Sequence, residues 1–439
     1  MALKWIRLAV ISALALSAQA QNLGELRENQ PQNWNWHVQN TGIVQGDPGF
    51  SSKYSGPNSL NSRGEVRETV SLDLLAGARL WRGAEAHVDG LMWQGFGLSR
   101  TLGVDGFPNG EAFRTGNNIP NVNITRLFIR QTVGFGGEQE NVEDDQLHLA
   151  DRRDVSRLTL TFGKLSVKDI FDNNTYANDP RTQFMNWALM ANEAWDYPAD
   201  SIGFQTGFAV ELNEPHWTLR YGLFQMPKVS NGVAQDEHYL KAWGMVMEFE
   251  RRYALSQHPG TVRLLAYLNR AHMGSYQEAI DNPVRPADIE LTHAYRSKYG
   301  FGLNVEQEIA ENIGIFSRLG WSDGQNQAWT FADVDRTATF GLSVKGSAWH
   351  RPNDTFGLAG VVNAISRVHQ DFFAAGGTGV LAGDGKLARA WEKILETYYD
   401  FQIWKTIHVA IDYQFVTNPA FNRDRGPVSV LAARMHWEF

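Results

Sequence analysis

The chain has 439 residues, a formal net charge of −8 and no cysteine. Disulfides therefore stabilise nothing, and an acidic balance without any basic run speaks against nucleic acid as a partner. Its 15 tryptophans, 13 tyrosines, 24 phenylalanines and 41 glycines, against 15 prolines, leave two ordinary architectures. One is a large soluble β-sandwich or propeller; the other is a transmembrane β-barrel, whose alternating strands escape hydropathy detection.

The N-terminal "MALKWIRLAVISALALSAQA" carries Lys4 and Arg7, an apolar run from Leu8 to Leu16, and a small-residue close at Ala18-Gln19-Ala20. That is the plan of a secretory signal peptide, with cleavage expected after Ala20 and an exported chain over 21–439. The apolar run is shorter than the ~20 residues a spanning helix needs. No later stretch reaches that length either.

Segments of alternating polarity follow to the end of the chain. They begin with "WNWHVQNTGIVQ", "ETVSLDLLAGARLW", "AEAHVDGLMWQGFG" and "ITRLFIRQTV", and close with "TIHVAIDYQFV" and "PVSVLAARMHWEF". There are about 16 in all, with the length of tilted bilayer-spanning strands. Some connections are tight: Arg82-Gly83, Asn213–Pro215, Ala310–Asn312 and Trp404-Lys405. Those between them are long, at 46–63, 97–123, 165–200, 227–238, 274–296, 323–333, 368–389 and 417–427. Short turns on one rim and long loops on the other is the outer-membrane barrel plan. One connection departs from it: 134–154, "GFGGEQENVEDDQLHLADRRD", is long and polar where a short turn is expected.

The phase of the strands favours the barrel. In "TIHVAIDYQF" one face carries Ile407, Val409, Ile411, Tyr413 and Phe415, and the other His408, Asp412 and Gln414. In "ITRLFIRQTV" Leu127, Ile129 and Val133 oppose Arg126 and Arg130. A charge on the lipid face near midplane costs ~2–4 kcal/mol, so in a barrel the charged faces must line the lumen. A soluble sheet of this many strands would need a second apolar layer, and no helices are available to supply it.

With the strands placed, the linking motifs resemble those of the bacterial outer-membrane carbohydrate-selective porins of the glucose-porin type. The motifs are "FGKLSVKDIFDNNTYANDPRTQFMNWALMANEAWDYPADSIGFQTG" (Phe162–Gly207), "GFPNGEAFR" (Gly106–Arg114), "RAHMGSY" (Arg270–Tyr276), "NVEQE" (Asn304–Glu308) and "NPAFNRDRGPVSV" (Asn418–Val430). They span about Ser51 to Phe439, and no extra N-terminal module is expected. The resemblance implies a 16-stranded antiparallel barrel for passive diffusion of mono- or oligosaccharides across the outer membrane. It also implies that the third long loop, here 165–200, folds inward and narrows the pore.

That loop suits a sugar on its own chemistry. Asp169, Asp172, Asn173, Asn174, Asn178, Asp179 and Arg181 offer donors and acceptors, and Trp187, Trp195 and Tyr197 offer flat faces. Wall arginines Arg79, Arg126 and Arg130 are the expected partners across the eyelet, with Asp73, Glu85, His87 and Asp89 beside them. The same Asp/Asn cluster is also ordinary turn chemistry, or a calcium site lacking EF-hand spacing; no other cofactor is implied. Trp81, Trp321, Trp404 and Trp437 are expected as rim anchors in outer-membrane lipid. The final strand, alternating up to Phe439, is expected to pair with the first and to carry the signal read by the barrel-insertion machinery. A non-selective general porin is the rival reading. An enzyme is not expected, because no G-x-S-x-G or H-E-x-x-H occurs. Nothing in the pattern selects between monomer and trimer.

Overall fold

The structure, a computed structural model, describes residues 31–112 and 116–439; the leader expected over 1–20 lies outside them. Sixteen strands close into one antiparallel barrel. They are β1 (Trp34–Asp47), β2 (Glu65–Trp81), β3 (Ala84–Gly95), β4 (Asn117–Gly134), β7 (Arg157–Leu165), β8 (Gln205–Glu214), β9 (Trp217–Phe224) and β10 (Trp243–Leu255). The circuit continues with β11 (His258–Met273), β12 (Ala294–Ala310), β13 (Ile313–Ser322), β14 (Arg336–Gly346), β15 (Arg351–Ala364), β16 (Glu392–Trp404), β17 (Ile407–Thr417) and β18 (Val428–Glu438). Two short strands, β5 (Gln139–Val142) and β6 (Asp151–Asp154), form a separate hairpin between β4 and β7.

Alternation decides which face is which. On β17, Ile411 is exposed on the outer wall while Asp412 and Gln414 are buried within. On β4, Leu127, Ile129 and Val133 face outward and Arg130 faces in. Charged side chains thus line the inside, the reverse of a soluble sandwich. Opposite β3 the register slips between Asp89 and Gly90, which pair with Arg126 and Ile124. The extra residue, Thr125, is buried, so Thr125 and Arg126 both turn inward although they are consecutive. Re-aiming a side chain is what a bulge does.

The short-turn rim holds Arg82-Gly83, Pro215-His216, Ser256-Gln257, Glu311-Asn312, 347–350 and Lys405-Thr406. The turn at Ser256-Gln257 and the one ending at His350 escape a sequence reading. Both run through left-handed backbone at non-glycine residues (Ser256 φ 50°, Gln257 φ 75°, His350 φ 61°), so the usual Gly or Asn marker is missing. Trp34, Trp81 and Trp404 are exposed around this rim, as an interfacial aromatic belt requires. At the seam Val38 and Phe439 exchange backbone hydrogen bonds of 2.9 and 3.1 Å. Leu431 and Ala433 face out, Arg434 and His436 face in, and Trp437 packs against Phe439 and donates to Asn40 Oδ1.

The helices are short: α1 (Trp187–Met190), α2 (Tyr276–Asp281) and α3 (Arg367–Ala374). Among the described residues none is long and apolar enough to cross a membrane. The apolar packing lies inside the barrel, where Phe107, Trp187, Trp195, Tyr197, Phe331 and Leu381 join the long loops into a cluster.

Candidate functional site

The connection between β7 and β8, residues 166–204, folds into the lumen. A chain crossing a barrel has no neighbouring strand, so each of its backbone N–H and C=O groups must find another partner. Here the barrel wall supplies them. Asp172 N–H donates to Glu248 on β10 (2.7 Å), Thr175 N–H to Glu306 on β12 (2.6 Å), and Met185 and Asn186 N–H to Glu396 on β16. Carbonyls are met by wall arginines. Arg318 on β13 donates to the carbonyls of Asp172, Ala177 and Leu189, and Arg434 on β18 to those of Pro180 and Gln183.

Side chains complete the anchoring. Asp169 accepts two bonds of 2.8 Å from Arg126, which also donates to Asp89 and lies over the Phe204 ring. Asp172 is held by Arg318, Lys168 and Asn304. Burial opposes the charged Asp172 carboxyl, but Arg318 and Lys168 hold it down to about 2. Burial also pushes the Lys168 ammonium down to about 8 in spite of Asp172. Arg181 pairs with Asp73 and Glu111, and Asp179 turns back to accept from Arg181 N–H.

Close approach of loop to wall depends on two glycines of β13. A Cβ at Gly314 would sit 1.9 Å from the Tyr176 ring, and one at Gly320 2.0 Å from Asn192 Oδ1.

The residues singled out from sequence therefore divide. Arg126, Asp169, Asp172, Asp179 and Arg181 do meet at the loop. Arg79 and Arg130 do not: Arg79 pairs with Asp151, and Arg130 with Glu85 and the Leu147 carbonyl. Trp187 and Trp195, 7% and 3% exposed, offer no open face for a sugar. Trp187 stacks on Phe107 at 5.0 Å and Trp195 packs against Phe171 and Tyr197. Of the oxygens considered for calcium, those of Asp169 are engaged by Arg126 and those of Asp172 by Arg318 and Lys168. Among the described residues no group of three or more His, Asp or Glu side chains is disposed to hold a metal ion.

The polar segment that broke the loop pattern also turns inward, at the short-turn mouth. Asn35 donates to Asp144 Oδ1 and to the carbonyls of Asp145 and His148, and Gln146 donates to Gln39 and Glu438. Leu149 is buried. Burial opposes the charged forms of Asp144 and Asp145, yet hydrogen bonds from His37 and His148 hold both below the usual carboxylate range. Burial, with Arg130 alongside, lowers His148. Segment 144–151 thus covers the β1–β4 side of the mouth.

Across the lumen a chamber of about 630 Å³ remains between the loop and the β12–β18 wall. The loop contributes Tyr176, Thr182 and Gln183, and the wall Lys345, Thr355, Asp400 and His408. Its lining mixes acidic and basic groups: Asp400 lies against His408 and Arg434, Glu308 against His258 and Glu438 against His436, while Glu311, Lys345 and Lys405 form no ion pair among the described residues. These wall groups were missed individually. Their signal is the inward phase of charged positions on β12, β16 and β18, which marks a lumen and not a particular depth within it.

Comparison with known proteins agrees with this architecture. Against the structure of Pseudomonas putida OprB at high pH the TM-score is 0.70, with 18% identity over 93% of this chain and 94% of that one. Porin AaxA of Chlamydia abortus is 22% identical over 284 residues, 64% of this chain and 54% of the relative. The corresponding porin of Chlamydia trachomatis serovar D is likewise 22% identical, over 63% and 51%. The chain spans about half the length of these curated relatives. A family profile described as "Carbohydrate-selective porin, OprB family" matches residues 57–439, so this outer-membrane β-barrel belongs to the OprB family of carbohydrate-selective porins.

Proposed function

We propose that the protein is a passive channel through which neutral mono- or oligosaccharides diffuse across the outer membrane, with loop 166–204 as the constriction. The observation that carries this reading is the mixed polar lining of the chamber below the loop, where acidic, basic and neutral groups alternate. Carboxylates interleaved with Lys, Arg and His present donors and acceptors together without a one-sided field. Such a lining suits an uncharged polyol better than an ion. Thr182, Gln183, Asn353 and Thr355 add neutral donors and acceptors. Binding by scattered groups is weak and multi-site, as passage requires. The channel acts as a conduit and carries out no chemistry on its solute. Outer-membrane lipid is its surroundings, and the terminal strand ending at Phe439 is what the insertion machinery reads.

Liposomes containing the protein test this. Neutral sugars are expected to enter faster than organic anions and cations of equal size. Uptake ordered by size alone would replace this reading with a general porin.

A further inference from the structure

The outer wall carries cations that no carboxylate among the described residues answers. Arg270 lies between inward-facing Asn269 and Ala271 on β11, so it points outward beside Trp243 and Ser297, its register partners. Its Nε is buried without a hydrogen-bond partner, and among the described residues it forms no ion pair. Arg336 pairs in register with outward-facing Trp321 and lies exposed over that ring, at 5.8 Å. Lys393 follows inward-facing Glu392 on β16 and is exposed, also with no carboxylate among the described residues. The lumen arginines Arg126, Arg181, Arg220, Arg263 and Arg318, in contrast, each hold a carboxylate. Asp236, in the long loop before β10, is engaged by His238 and the Tyr295 hydroxyl.

Position and chemistry together define what would answer these charges. All three lie at the long-loop ends of their strands, which face the cell exterior in barrels of this plan. Toward midplane the same face is apolar, with Leu264, Phe301, Phe340 and Leu395 exposed. The rings of Tyr299 and Trp321 pack on each other beside Arg336. A ligand for this surface is amphipathic, with acyl chains below and anionic groups above. With the register offsets along the strands included, Arg336 and Lys393 are roughly 12 Å apart and Arg270 lies roughly 20 Å from Arg336. One phosphate cannot reach two of them; a head group with two separated phosphates spans Arg336 and Lys393, and Arg270 meets a neighbouring head group.

We infer that the outward face of β11–β16 is a binding surface for bis-phosphorylated glycolipids of the outer leaflet, one spanning Arg336 and Lys393 and a neighbour meeting Arg270. Charge attraction of this kind amounts to about fivefold in affinity per cation at a membrane surface. None of the three faces the lumen, so the site is separate from solute passage.

The test is native mass spectrometry of the detergent-purified, folded channel with three probes: bis-phosphorylated lipid A, its dephosphorylated form, and phosphatidylglycerol. The wild type is expected to retain the bis-phosphorylated lipid at least tenfold better than either other probe. The triple variant Arg270→Gln/Arg336→Gln/Lys393→Gln is expected to lose that preference. Unchanged single-channel conductance and heat-modifiable gel migration verify that it is folded. Equal retention of all three lipids by the wild type, or full retention of the preference in the folded triple variant, would overturn the inference.

Discussion

Two segments of this chain fold into the same lumen, and they are held there very differently. Loop 166–204 is stapled around the circuit, through Arg126 on β4, Glu248 on β10, Glu306 on β12, Arg318 on β13, Glu396 on β16 and Arg434 on β18. Segment 144–151 is tied mainly to one side, through Asn35 and Gln39 on β1, Arg79 on β2 and Arg130 on β4. The first behaves as an internal core of the barrel, where removing one tie strands a buried charge. The second is a cover resting on one side of the mouth. Inward folding is therefore not one structural condition: an element satisfied by many walls fixes the bore, whereas one satisfied by few can be altered with the bore intact.

The largest effect should come from Arg318→Ala. It removes three bonds to loop carbonyls and leaves the buried Asp172 with Lys168 as its remaining cation among the described residues. Breaking a buried pair costs about 3–5 kcal/mol. Thermal unfolding in detergent should shift down accordingly, and single-channel current should become noisy. A quiet, wild-type trace would mean that the loop does not depend on this staple.

Gly314→Val comes next. Its side chain would enter the Tyr176 ring, and overpacking of this kind costs about 1–3 kcal/mol. The expected readout is a changed conductance with the barrel still folded, because Tyr176 must move within the chamber. Replacing 143–150 by a short Gly-Ser linker sharpens the other half of the comparison. Conductance should rise while the unfolding temperature falls by less than for Arg318→Ala. A larger loss of stability there would make the cover a core element as well.

The smallest effect concerns pH. The folded chain lowers Lys168 to about 8 from an ordinary 10.5. Between these values the unfolded chain binds the proton and the folded one does not, so stability rises with pH across that window. The contribution should vanish in Lys168→Met, seen as a shallower rise in unfolding temperature between pH 8 and 10.5. Asp172 gives the same sign in a lower window, because its folded value is also depressed. It is held down to about 2, so its contribution is in place above pH 4 and is lost only as pH falls through about 2.

The wall was far more legible in the sequence than what fills it. On β17 a period of two places Ile411 out and Asp412 in, and burying a charge in lipid is so costly that the phase has one solution. The long loops were placed within about four residues at each end for the same reason, except 97–123, since β4 already starts at Asn117. Inside the lumen no such rule operates. Trp187 in a polar loop reads equally as a stacking platform or as core, and only the rings of Phe107 and Phe331, far away in sequence, decide for core. Arg130 shares its strand face with Arg126, yet one turns to segment 144–151 and the other to the loop, since depth along a strand is not written in its alternation. The bulge at Thr125 is likewise invisible until β3 is in place.

Single-channel recording with added neutral sugars tests the central claim most directly, that loop 166–204 and its Arg126–Asp169 tie set a sugar-accessible constriction. In planar bilayers, wild-type current should be reversibly reduced by mono- or disaccharide in a concentration-dependent way. Arg126→Gln should weaken that block, while Arg130→Gln, which answers to segment 144–151, should leave it closer to wild type. Sugar block that is absent, or identical in the wild type and both variants, would contradict the account.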